Sequence, residues 1–118
     1  MHNFKNLRVW QEAMDLAVFI YKITEQLPKE ERFGLTSQIR RSAVSVPSNI
    51  AEGAGRNTNG EFNHFIGISN GSGCELQTQI ILANRLGFIS EQEQVAAFNK
   101  MEGVKKMSFK LQQSLKKK

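Results

Sequence analysis

The sequence predicts an all-α protein, an antiparallel up-down-up-down four-helix bundle, on three observations. Four long stretches repeat apolar residues at spacings of three and four, the connections between them are short, and no stretch alternates apolar and polar residues as a half-buried strand would. Short links between long helices favour antiparallel neighbours, so the up-down topology is the economical one. At 118 residues the chain fits a single domain, 1–118, without an internal repeat or a low-complexity linker.

The first helix is predicted over about 7–26, stopping before Pro28. Its apolar residues form one seam at Trp10, Ala13, Ala17, Ile20 and Leu27 and a second through Val9, Leu16 and Ile23. That face is wider than one partner helix needs, so two buried sides are expected, within the bundle or across a subunit interface. After the turn KEERFG, the second helix is expected over 36–56 with Ile39, Ala43, Val46 and Ile50 as its seam.

The third helix, 60–86, begins after Thr58 or Asn59 and turns Phe62, Phe65, Leu76, Ile80 and Ala83 inward. Gly87 ends it, as a residue that tolerates positive φ. The fourth, 91–115, opens with Ser90 and Glu93, a pattern in which each side chain satisfies the other's free amide. It continues with a bundle seam at Ala97, Met101, Val104, Ser108, Leu111 and Leu115, and residues 116–118 form a basic tail.

The second helix breaks several helix rules. Pro47 in its interior removes a backbone hydrogen bond and clashes with the preceding turn at about 3 kcal/mol, so compensating packing or a partner contact is implied. Arg41, Ser45, Ser48, Glu52 and Arg56 form a polar ladder, flanked by Arg40 and Asn49. The third helix offers Glu61, Ser72, Glu75 and Thr78, with Gly67 and Gly71 four residues apart on one face. Each interior glycine, Gly73 included, costs up to ~1 kcal/mol against alanine, which calls for close packing or a flexible point. Two readings stand: arginines and glutamates pair across the bundle or a subunit interface, or Arg40, Arg41 and Arg56 face phosphates, which the planar guanidinium fork suits.

The net charge of +5 is unevenly placed. Residues 1–99 hold nine Lys or Arg against ten Asp or Glu, whereas residues 100–118 hold seven Lys against one Glu. Lys105, Lys106, Lys110, Lys116 and Lys117 are therefore candidate nucleic-acid contacts, and at about 100° per residue Lys106, Lys110 and Lys117 fall opposite the apolar seam. The alternative is a solvated face with a frayed lysine tail.

Other chemistry finds little support. The single Cys74 cannot form an intrachain disulfide and reads as a packed free thiol, and no signal-peptide or membrane-span pattern is visible, so a soluble cytoplasmic protein without membrane contact is expected. Glu61 and His64 match one half of a di-metal carboxylate site, but the only other histidine is His2, so no metal or other cofactor is expected. Gly53-Ala54-Gly55-Arg56 is too short for a phosphate loop, and Asp15 is the only aspartate available to a triad. The chain is not expected to be an enzyme.

Three runs carry a family resemblance: Ser37-Gln38-Ile39-Arg40-Arg41-Ser42-Ala43, Val46-Pro47-Ser48-Asn49-Ile50-Ala51-Glu52-Gly53 with Arg56, and Glu61-Phe62 followed by Gly71-Ser72, Glu75-Leu76 and Thr78. With Phe4, Lys5, Leu7, Val9 and Trp10 near the start, the chain resembles the 23S rRNA intervening-sequence proteins over nearly its whole length. The accessory variability protein of diversity-generating retroelements shares their superfamily. The resemblance implies a bundle that assembles into a barrel-like homopentamer, with Pro47, Asn49, Glu52, Gly53, Glu61, Gly71, Ser72, Glu75 and Thr78 as its structural and interface signature. In the retroelement branch it also implies a basic surface that binds nucleic acid, and a reverse transcriptase partner. The chain departs from the family pattern at Ser69-Asn70, where a small residue followed by a basic one is expected.

The resulting expectation is a non-enzymatic, oligomeric protein that binds the RNA or DNA backbone. Periodicity places most phenylalanines in the core, which favours backbone binding over stacking on single strands. The alternative is a structural adaptor whose ring recruits a protein partner such as a reverse transcriptase.

Overall fold

A computed structural model describes residues 2–116. Four helices dominate it, α1 (Arg8–Thr24), α2 (Leu35–Ala54), α3 (Asn59–Arg85) and α4 (Glu91–Lys116), and no strand occurs among the described residues. Short 3-10 turns at Phe4–Asn6 and Lys29–Glu31 precede α1 and α2. Each helix packs on its neighbours in the chain and α4 closes onto α1, giving a four-helix bundle.

The core is built from the expected seams. Leu16 and Ile20 of α1, Ile39 and Ile50 of α2, and Phe62, Ile66, Leu76 and Ile80 of α3 are almost wholly shielded, each side chain stabilising the fold by about 1.5–3 kcal/mol through burial. Helix α4 adds Ala97, Val104, Ser108 and Leu115, while its seam residues Met101 and Leu111 are only half-buried. The broad apolar face of α1 is largely consumed inside the bundle, because α1 packs on both α2 and α4.

The helix ends follow from local chemistry. Thr58 accepts the Glu61 N–H at 3.1 Å and starts α3. At its other end Gly87 has φ +80°, and the N–H groups of Gly87 and Phe88 return to the carbonyls of Asn84 and Ala83, satisfying two otherwise free acceptors. Ser90 and Glu93 form the expected reciprocal cap at the start of α4. The Ser90 N–H, then the Gln26 amide at 2.8 Å, hold the Glu93 carboxyl below its ordinary pKa, and the second of these bonds ties α4 to the end of α1.

Helix α2 continues unbroken through Pro47. The ring is buried, and the Ser69 hydroxyl of α3 donates to the Val46 carbonyl at 2.9 Å, one residue before it. Beside this bond, Ser45 and Ser72 meet at 2.8 Å, and Asn49 donates to the Ser45 hydroxyl and carbonyl. Helices α2 and α3 then converge at Gly53, where an added Cβ would lie 2.8 Å from Phe65 Cβ and 2.9 Å from Phe62 Cδ1. A polar seam and one glycine thus hold α3 against the proline-bearing turn of α2.

Candidate nucleic-acid interface

Of the helix-two arginines, Arg40 is committed to the fold. Helix α1 tightens at its last turn, where the Glu25 N–H bonds the Lys22 carbonyl, so the Tyr21 carbonyl lacks its usual helical partner. Arg40 supplies one: Nη2 donates to that carbonyl at 3.1 Å, Nε donates to Thr24 Oγ1 at 2.9 Å, and the guanidinium lies 4.5 Å over the Tyr21 ring. A cation at a helix C-terminus is also favoured by the helix dipole.

Arg56 makes an ion pair with Glu52 at 2.8 Å, the one such pair among the described residues, and stacks 4.8 Å over Phe65. This pair lies within one helix, so no arginine–glutamate bridge joins α2 to α3 among the described residues. Arg41 is exposed and free of such contacts, but it stands apart from Arg40 and Arg56 in what it can offer a phosphate.

The other signature residues divide between bundle and surface. Pro47, Asn49, Gly53 and Ser72 serve the packing of α2 as described above, whereas Gly71, Glu75 and Thr78 lie exposed on α3, with the Thr78 hydroxyl bonded back to the Cys74 carbonyl at 2.9 Å. Glu61 belongs to the α3 cap and accepts from the Thr58 hydroxyl. An added Cβ on Gly67, Gly71 or Gly73 would meet nothing within 4 Å, so these glycines do not serve a close helix approach inside the chain. Cys74, expected to be packed, is exposed, because this outward strip of α3 has no helix over it.

The lysines of α4 present a different picture. Lys105, Lys106, Lys110 and Lys116 are all exposed and have no carboxylate partner among the described residues. Lys117 lies outside the described residues. Lys100 sits with Nζ 5.3 Å over the Phe19 ring, which draws it toward α1. The free lysines are therefore concentrated on the second half of α4, with Lys106 and Lys110 opposite the seam on the helical wheel and Lys105 at the edge of a cleft between α3 and α4.

Two features were missed by the sequence reading. Phe109 is 60 % exposed among the α4 lysines, because its position on the helix falls between Lys105, Lys106 and Lys110 and off the seam. The same wheel that placed the lysines contained that signal. Between α1 and α2 lies an apolar groove of about 630 Å³, where the exposed side chains of Met14, Val18, Tyr21 and Val44 gather beside Trp10 and Pro47. These α1 positions lie beside the two seams that sequence periodicity picked out.

The family profile described as 23S rRNA-intervening sequence protein matches residues 5–110. The chain belongs to this family. The match spans all of α1, α2 and α3 and takes in α4 as far as Lys110, so the family region includes Arg40, Gly53, Ser72 and the lysines at 105, 106 and 110. Lys116 lies beyond it. No curated protein matches the chain. Among the described residues no helix is long and apolar enough to cross a membrane, and no cluster of three His, Cys, Asp or Glu side chains is arranged to hold a metal ion.

Proposed function

We propose that the protein is a non-enzymatic, cytoplasmic, oligomeric nucleic-acid-binding protein that grips RNA or DNA through the phosphate backbone. The observation that carries this reading is the outward face of α4, where Lys105, Lys106, Lys110 and Lys116 are exposed and without carboxylate partners. Cations already neutralised inside the fold have little to gain from a polyanion, whereas free ones release condensed counterions when they meet phosphates. Arg41 is a secondary candidate contact; Arg40 and Arg56 would have to surrender bonds they already make.

The reading includes an up-down-up-down topology. Along α1 and α4, the contacts Phe19–Lys100 and Gln26–Glu93 advance in opposite senses, and along α2 and α3 so do Ser45–Ser72 and Gly53–Phe62. It also includes self-association, for which the α1–α2 groove is the natural surface: its apolar walls leave water when another copy covers them. The family resemblance implies five copies in a barrel. Five lysine faces on one ring would bind a long polyanion with an avidity that a single chain lacks.

The groove also favours a second reading, an adaptor that recruits a protein partner such as a reverse transcriptase while its lysines stay solvated. Electrophoretic mobility shift of structured RNA and duplex DNA over a salt series separates the two. Under the first reading binding is strong at low salt, falls steeply as salt rises and shows little sequence preference. No shift at about 50 mM salt with micromolar protein would leave only the adaptor.

A further inference from the structure

We infer that the α3–α4 cleft is a stacking site for an unpaired base of single-stranded nucleic acid, with Phe109 as its platform. The inference rests on the proposed nucleic-acid binding and adds to it what part of the polymer is read.

Phe109 lies between Lys105 and Lys106 on one side and Gln112 and Gln113 on the other, residues three and four positions away on the same helix surface. Its ring is 60 % exposed, so a face is available to a ligand. Isolated exposed apolar side chains are common and need no explanation. This one differs in three ways: it is aromatic, it is flanked by cations without carboxylate partners, and it stands at the rim of a cleft of about 280 Å³.

The cleft wall complements a nucleobase. Asn70 and Gln77 from α3 line the cleft together with Glu102, Lys105, Phe109 and Gln112 from α4, so amide donors and acceptors share it with the aromatic ring and a single carboxylate. A base stacked on Phe109 would lie within reach of those amides, while Lys105 and Lys106 take the adjoining phosphates. Single-strand-binding surfaces combine such a cationic track with an aromatic platform, and stacking tolerates any base because every base has a π-face. A duplex hides its base faces between neighbouring pairs and can use the lysines alone.

The test measures the affinity of the full chain for a labelled oligopyrimidine single strand, as DNA and as RNA, and for a duplex of the same length. Phe109→Ala is expected to weaken single-strand binding about 5- to 100-fold, leaving duplex affinity and the salt dependence unchanged. Phe109→Trp is expected to keep single-strand affinity. Phe109 is exposed, so both variants are expected to fold, which circular dichroism and the melting temperature check.

An unchanged single-strand affinity in Phe109→Ala, with duplex binding intact, overturns stacking and leaves the backbone-binding reading in place. Equal losses on single strand and duplex overturn it as well. A change in assembly mass without a change in single-strand affinity assigns the ring to a protein contact and also overturns it. Absence of all nucleic-acid binding removes both this inference and the reading beneath it.

Discussion

Arg40 of α2 and Tyr21 of α1 are joined twice: the guanidinium lies 4.5 Å over the phenol ring and donates at 3.1 Å to the same residue's carbonyl. With the bond to Thr24 Oγ1, this makes Arg40 a cap of α1 and ties the first half of α2 to the last turn of α1. Arg40→Ala is expected to lower folding stability by about 1.5–3 kcal/mol, the range for hydrogen bonds to a charged group. It should leave the salt dependence of nucleic-acid binding unchanged. Urea denaturation and a salt titration of the same variant check both halves.

Gly53 and Gly71 have opposite expected responses to alanine. At Gly53 the new methyl would stand 2.8 Å from Phe65 Cβ, and the overpacking cost of about 1–3 kcal/mol exceeds the gain of about 1 kcal/mol in helix propensity. At Gly71 nothing lies within 4 Å, so only the propensity gain remains and the isolated chain should become more stable. Denaturation midpoints of the two variants check the signs. A loss of assembly mass in Gly71→Ala would place that strip of α3 in a subunit contact.

The α2–α3 junction rests partly on Ser69, whose hydroxyl reaches the Val46 carbonyl beside Pro47. Ser69→Ala removes the donor that α3 gives to the Val46 carbonyl and is expected to cost about 1 kcal/mol. Equilibrium denaturation measures it. Hydrogen exchange over α2 should accelerate around Val46 and Ile50 before it does near Ile39.

Glu93 gives the fold an acid-sensitive element. The Ser90 N–H and the Gln26 amide depress its pKa below 4.5, so its charged form stabilises the fold above the unfolded-state value and that contribution disappears as pH falls through the folded one. Glu93→Gln should therefore be less stable than the wild type at neutral pH. The two denaturation midpoints should converge as pH drops below 4.5. A gap that stays constant with pH would remove Glu93 from the account.

The helices themselves were legible in the sequence because their seams and caps are local signals. Helix α2 was expected over 36–56 and runs Leu35–Ala54, and the Ser90–Glu93 cap and Gly87 stop of the neighbouring helices lie where residue chemistry put them. Periodicity alone could not say which neighbour each apolar side chain would meet. Both seams of α1 find partners within the chain, and the exposed groove is made instead by Met14, Val18 and Tyr21 at its margin. Nor could spacing reveal that Arg40 reaches the Tyr21 carbonyl in the last turn of α1, since that pairing exists only once the two helices have docked. Phe109 was legible too, off the α4 seam and among its lysines, but the seam and the charges were read separately and it was not singled out.

The most direct test of the central claim compares the salt dependence of nucleic-acid binding in the wild type with that of a variant carrying Lys105→Gln, Lys106→Gln and Lys110→Gln. If these lysines meet phosphates, each one removed lowers the slope of log affinity against log salt by about 0.9 on duplex DNA and about 0.7 on a single strand, and affinity at low salt falls with it. A variant that folds and assembles like the wild type and binds with the same affinity and the same slope would contradict the assignment of α4 as the nucleic-acid face.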